Sequence, residues 1–261
     1  MKVLRRRWPT LLLVVLAVSL LAVLSQAVVA KPQKGDPSLR GSWSFDEGSG
    51  TVAKDNSAYK NHGSITGATW TAGKNGTALH FDGVGDRVVV PRSAALEPEN
   101  VSLALWFRAE RPAGDAWRFK VLAEKGVINC QAASYSLKSD GSGTGLIFML
   151  YDATNKTHPA TPAATGVWDG EWHHAVGTFD GSVLRLYVDG VLQGKTDWRG
   201  DIPYGLRDHN DLVIGNAVTT CQPGGVQYIG DLDELHVWDR ALSAKEVARL
   251  ANPTTGKKPK H

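Results

Sequence analysis

The chain predicts an all-β protein, an antiparallel sandwich or jelly roll closed by one short C-terminal helix. Three observations carry that prediction. Short runs rich in β-branched and aromatic residues follow one another from Leu39 to Trp238, each bounded by Gly, Asp, Asn or Pro. Two Asp-Gly pairs, Asp180-Gly181 and Asp189-Gly190, separate consecutive runs, where tight hairpins need residues that tolerate positive φ. No 3.6-residue periodicity appears before Ala241. With 261 residues, 42% of them hydrophobic and 21% charged, the chain can fill one sizeable core, and it shows no internal repeat.

Residues 39–45 alternate, with Leu39, Gly41, Trp43 and Phe45 on one side, and read as the first strand. Residues 46–50 form a turn, and 55–63 (DNSAYKNHG) a polar loop rich in groups that accept hydrogen bonds or ligate hard cations. Strands are expected over 78–81, 87–90, 101–108, 119–124, 134–138, 145–151, 172–179, 183–188, 191–196 and 211–215. The connections 111–118, 153–170 and 198–210 exceed hairpin length, and such loops tend to carry function or lack structure. In the last strand a period of two places Asp231, Asp233, Leu235 and Val237 on one side and Leu232, Glu234, His236 and Trp238 on the other. Two carboxylates thus share a face with core aliphatics, and an inward carboxylate must be hydrogen-bonded, paired or metal-bound. Residues 241–250 turn helical, with Ser243 as N-cap, Glu246 at capping-box spacing, and Val247 and Leu250 facing the body.

The chain divides into a secretory signal peptide (1–30), a linker (31–38), the jelly-roll domain (39–252) and a basic flexible tail (253–261). Lys2, Arg5, Arg6 and Arg7 precede an apolar run over 11–24 and a small-residue region ending at Ala27 or Ala30. That run is shorter than the roughly 20 residues a spanning helix needs, so it meets the membrane only transiently, during export. The Arg5-Arg6 pair lacks the rest of a twin-arginine pattern. Of 29 Lys and Arg, four lie in this segment, leaving 25 against 26 Asp and Glu. Nucleic acid is therefore excluded as a partner, because binding it needs a concentrated basic surface. Cys130 and Cys221 are an even pair in an oxidising compartment and are expected to form a disulfide, contributing about 4 to 5 kcal/mol in the chain-entropy model.

Five motifs in order, GSWSFDEGSGTVAKDNSAYKNHG, ALHFDGVGDRVVVP, VSLALWFRA, GEWHHAVGTFDGSVLRLYVDG and GDLDELHVWDRALSAKEV, resemble the laminin-G-like, concanavalin A-like jelly rolls of exported bacterial proteins. The resemblance covers residues 39–250. It implies the fold but no single activity, since such modules include lectins, carbohydrate-binding and adhesion modules and glycosidases. Retaining glucanases with a related sandwich use an alternating Glu-x-Asp-x-Glu strand whose catalytic carboxylates lie about 5 to 5.5 Å apart. Here that phase gives Asp231, Asp233 and Leu235, so the second catalytic position is apolar, and Glu234 is expected on the opposite face. A glycoside hydrolase is accordingly the alternative to a non-catalytic module.

A jelly roll brings its first and last strands together, so Asp46 and Asp233 are expected to meet, with Asp55 and Asn61 completing a structural Ca²⁺ site of oxygen ligands. The resemblance also implies structural calcium in this region. The adjacent His173 and His174 point to opposite faces and cannot chelate one ion. Of nine tryptophans, Trp43, Trp106, Trp172 and Trp238 lie within strands and belong to packing. Trp117, Tyr151, Trp198 and Tyr204 lie in or beside long connections and are the candidates for stacking on a ligand. The expectation is a secreted module that binds a glycan or an extracellular protein; a structural or adhesive surface protein without glycan affinity is a further alternative.

Overall fold

A computed structural model of the chain describes residues 35–110, 119–127, 133–152, 159–205, 209–217 and 226–252. The signal-like segment, the basic tail, Trp117, Cys130 and Cys221 lie outside the described residues. In chain order the strands are β1 (Leu39–Trp43), β2 (Val52–Ala53), β3 (Gly63–Thr66), β4 (Thr69–Ala72), β5 (Thr77–Asp82), β6 (Arg87–Val90), β7 (Val101–Glu110) and β8 (Val121–Val127). They continue as β9 (Tyr135–Ser139), β10 (Gly145–Leu150), β11 (Ala164–Thr165), β12 (Asp169–Phe179), β13 (Val183–Val188), β14 (Val191–Asp197), β15 (His209–Ile214) and β16 (Ile229–Trp238). The one α-helix among the described residues, α1 (Ala244–Ala251), closes the series.

Two eight-stranded antiparallel sheets form a sandwich. The first runs β14-β13-β12-β7-β16-β5-β4, with β1 also pairing β16, and the second runs β11-β10-β9-β8-β15-β6-β3-β2. Strand β7 shows why its sequence belongs at the centre. Val101, Leu103, Leu105, Phe107 and Ala109 face the other sheet, while Ala104, Trp106 and Arg108 face outward. Trp43, Phe45, Phe81, Phe107, Phe148, Phe179 and Tyr135 fill the space between the sheets, each contributing about 1.5 to 3 kcal/mol by burial. The sheets meet closely where Gly177 of β12 faces Phe148 of β10: a Cβ on Gly177 would sit 2.1 Å from the ring. Glycine is required there for space.

The sequence missed β2, β3, β4 and β11, which are two to four residues long and polar enough to pass for loop. Both Asp-Gly hairpins form, with Asp189 at φ 52° and Gly190 at 81°. The helix begins at Ala244 rather than 241, but its Ser243–Glu246 capping box is present. Val247 packs with Leu242, Trp238, Ala104, Val176 and Tyr187 in a second, smaller core on the outward face of the first sheet. Among the described residues no helix is long and apolar enough to cross a membrane.

The alternating reading of β16 needs correction. Leu232, Leu235 and Val237 all face the core, although the first two are three positions apart, an odd offset. A β-bulge between Asp233 and His236 inserts the extra residue, with Glu234 at φ 48°. Asp231, Asp233, Glu234, His236 and Trp238 consequently share the outward side, so Glu234 does not oppose Asp233.

Replacing Gly177 with Ala overpacks the contact with Phe148 and is expected to cost about 1 to 3 kcal/mol, read as a fall in melting temperature of a few degrees. Adding Phe148→Leu should recover part of that loss.

Candidate ligand-binding rim

One end of the first sheet gathers the start of β1, the end of β16, the start of β7, the β12–β13 turn and the end of β14. The polar loop after β2 is tied down here. Asp55 is buried, and its carboxylate accepts hydrogen bonds from Ser42 N (2.9 Å), Ser57 N (2.8 Å), Ser57 Oγ (2.8 Å), Asn61 N (2.7 Å) and Asn61 Nδ2 (3.2 Å). Asn61 also donates to the Arg40 carbonyl, and its own carbonyl accepts from Trp43 Nε1. The loop is thereby clamped to β1, and it holds the exposed Tyr59 ring under the Arg40 guanidinium, 4.9 Å from the ring centroid.

Arg40 donates through Nε and Nη2 to the same oxygen of Asp239, Oδ2. These three side chains, with Ala94, Ala95, Pro98, Glu99 and Asn100, line a groove of about 460 Å³. Its chemistry suits a polyhydroxylated ligand. An aromatic ring and apolar carbons from Pro98 and Ala94 offer a surface for C–H groups, while the Arg40–Asp239 pair places donors and acceptors side by side, matching adjacent hydroxyls. Arg40, Tyr59 and Asp239 were not singled out from sequence. An aromatic residue inside an otherwise polar loop was the signal available for Tyr59.

The four residues expected to bind calcium fall into two groups. Asp55 and Asn61 are engaged as above, and five donors crowd the carboxylate that a cation would need. Asp46 lies instead beside the β4–β5 hairpin tip, accepting from Thr77 N (3.2 Å), close enough to Asp233 for the two charges to interact. Among the described residues no group of three or more His, Cys, Asp or Glu is arranged to hold a metal ion, so the four do not fit one site.

The expected ligand aromatics also separate. Tyr204 donates its hydroxyl to the Pro98 carbonyl (2.8 Å) and packs edge-on against Tyr135, which makes it an anchor for its loop. Tyr151 is half-buried beyond β10. Trp198 packs on Phe179 and lines a second groove of about 410 Å³ with Ser182, Val183, Asp197 and Arg199.

On the outward face of the first sheet the carboxylates of β16 are closed off. Asp231 accepts from Arg108 (2.8 Å) and pairs with His80 (2.7 Å), and Arg108 stacks on Trp172. Asp233 and Glu234 are buried under the hairpin tip: Asn75 N donates to Asp233 Oδ2 (3.0 Å) and Asn75 Nδ2 to Glu234 Oε1 (2.8 Å). His236 lies against Glu234 Oε2 (3.4 Å) and Ser42 Oγ (3.1 Å). His174 packs on Trp106, and burial holds its pKa down at about 3, so it is neutral. His173 faces the opposite way, between Asp189 (2.7 Å) and Asp169 (3.1 Å), as expected for adjacent strand residues.

A family model, Laminin_G_3, described as the concanavalin A-like lectin/glucanases superfamily, matches residues 82–248, more than half of the chain. The chain belongs to the concanavalin A-like superfamily. Human neuronal pentraxin-2 is 31% identical over 99 residues, 34% of this chain and 22% of the pentraxin. The mouse sushi, von Willebrand factor type A, EGF and pentraxin domain-containing protein 1 is 28% identical over 130 residues, 46% of this chain and 4% of that protein. The chain thus spans under a quarter of the length of these relatives. Among solved structures, domain 4 of AbnA, a GH43 extracellular arabinanase from Geobacillus stearothermophilus in complex with arabinotriose, aligns with a TM-score of 0.62 at 18% identity, over 82% of this chain and 98% of that one. The binding domain of Paraclostridial Mosquitocidal Protein 1 aligns with a TM-score of 0.62 at 16% identity, over 82% of this chain and 52% of that one. These two likenesses show the fold.

In this concanavalin A-like chain the buried carboxylates make stability depend on pH. Burial first, then the neighbouring Glu234 and Asp46 charges, push Asp233 up to about 8 against 3.8 when exposed, despite hydrogen bonds from Asn75 and Glu234 that oppose the rise. Between those values the folded chain retains a proton that the unfolded chain has released, so Asp233 by itself makes stability fall as pH rises from 4 to 8, while His174, neutral in the fold but protonated in the unfolded chain below 6.5, opposes that fall between about 3 and 6.5. Asp233→Asn keeps an acceptor for Asn75 and removes the ionisation. Its melting temperature should match the parent near pH 4 and exceed it increasingly toward pH 8. His173, whose pKa the Asp189 hydrogen bond raises above 6.5, adds a decline of the same sign above that pH, but it is present in both proteins and cancels in the comparison.

Proposed function

We propose that the protein is a secreted, non-catalytic module that binds a carbohydrate in the groove of Arg40, Tyr59 and Asp239. The observation that carries this reading is the pairing of an exposed aromatic ring with a preassembled Arg–Asp pair, beside the apolar carbons of Ala94, Ala95 and Pro98, in a groove open to solvent. Export is supported by the segment 1–30, with its basic start and apolar run. Two fold neighbours agree with binding as the role: an arabinanase domain in complex with arabinotriose and the binding domain of Paraclostridial Mosquitocidal Protein 1.

The burial of β16 argues against glycoside hydrolysis. A scissile bond must lie between two accessible carboxylates, whereas Asp233 and Glu234 are 0% and 1% exposed and Asp231 is held by Arg108 and His80. Glycan-array screening of the full chain, followed by calorimetry on the hits, tests the reading. Tyr59→Ala and Asp239→Asn should each weaken binding at least tenfold without a large change in melting temperature, and no reducing ends should be released. Unchanged affinity in both variants, or release of reducing ends that Asp233→Asn abolishes, would overturn it.

A further inference from the structure

We infer that the rim takes an oligosaccharide, with a second subsite in the groove formed by Ser182, Val183, Asp197, Trp198 and Arg199. The inference rests on the carbohydrate reading of the Tyr59 groove and extends it. The two grooves repeat one chemistry. Each combines an aromatic side chain, an arginine, an aspartate and a small hydrogen-bonding group: Tyr59, Arg40, Asp239 and Asn100 in the first, Trp198, Arg199, Asp197 and Ser182 in the second. A repeated set of recognition groups fits a ligand built from repeated units. Each groove, at about 460 and 410 Å³, lies toward the low end of the range of small-molecule sites.

The grooves are also neighbours. Asn100, which lines the first, lies against Gly181, next to Ser182 of the second: a Cβ on Gly181 would sit 3.3 Å from Asn100 Oδ1. The turn between them is rigid. The Asp180 carboxylate accepts from Ser182 N (3.0 Å), Ser182 Oγ (2.8 Å), Val183 N (2.8 Å) and Arg185 Nη1 (2.6 Å). Burial alone would raise its pKa, but these bonds, Arg185's foremost, bring it down to about 2, so the turn keeps its charge and its shape at any working pH. Val183 and Asp197 face each other across β13 and β14, which fixes the second groove relative to the first sheet.

Once one unit is held beside Tyr59, the next units of the same chain are presented to the Trp198 groove at high effective concentration, so affinity should rise with length until both grooves are filled. The experiment is calorimetry on the full chain with linear arabino-oligosaccharides and cello-oligosaccharides of one to six units. In the series that binds, the six-unit ligand should bind at least tenfold tighter than the two-unit ligand. Trp198→Ala should return the long ligand to the affinity of the short one. Arg199→Ala, on an exposed side chain, should do the same and guards against a folding defect in the Trp198 variant. Equal affinity at two and six units, or a length dependence that survives in both variants, overturns the second subsite while leaving the first groove standing. Absence of binding at every length in both series, together with an empty glycan array, overturns the carbohydrate reading itself, and the second subsite with it.

Discussion

Strand β16 has to satisfy two neighbours along one edge, and the rest of the first sheet depends on how it does so. Its first half pairs β5 through Ile229–Leu232, and its second half pairs β1 through Leu235–Trp238. Both halves must send leucines into the same core, yet Leu232 and Leu235 are out of phase for a regular strand. Glu234, in the left-handed region, absorbs the extra residue at a cost of about 1 to 3 kcal/mol for a non-glycine. The bulge then leaves two consecutive carboxylates on one side. Asn75, backbone amides and a retained proton on Asp233 make that arrangement tolerable, and they recruit the β4–β5 hairpin tip as a cover.

Covering the bulge decides where a ligand can go. With the hairpin tip over Asp233 and Glu234 and α1 over Trp238 and Val176, much of the outward face of the first sheet is committed to packing. The strand ends are not. There the chain crosses between strands through short polar segments whose side chains can face solvent without disturbing the core. The Asp55 loop illustrates the division of labour: its interior residues bond to β1, and Tyr59, at its turn, is left outside.

Much of the architecture was legible because it depends on local chemistry. Asp189-Gly190 makes its hairpin by backbone preference, Ser243 and Glu246 cap α1 by spacing, and the alternating run 101–109 can only be a half-buried strand. The bulge was not legible, because a period of two has no mark for an inserted residue, and Glu234 carries nothing that favours positive φ. The hydrogen bonds of Asp55 were hidden for a different reason. A carboxylate among Asn and Ser looks alike whether it faces a cation or backbone amides, and its donors include Ser42, 13 residues away in sequence. Tyr204 and Trp198 lie on the same connection and both pack on the core, and only tertiary contacts separate them: the Tyr204 hydroxyl is tied to the Pro98 carbonyl, while Trp198, packed on Phe179, also borders a groove.

The charges on the rim bear on the kind of ligand it suits. The Arg40–Asp239 pair is fixed by two donors converging on one oxygen and by stacking on Tyr59, and the Asp180–Arg185 pair by the turn itself. Pairs of opposite sign held in place present directional donors and acceptors with little net field, and their side-chain entropy is already lost before a ligand arrives. A highly anionic partner would gain little from such a surface, because Arg40 is already paired with Asp239 and Glu99 adds a negative charge to the same groove. A neutral ligand with closely spaced hydroxyls gains most, since it exchanges hydrogen bonds with water for bonds to groups already oriented, and rests its C–H faces on carbon.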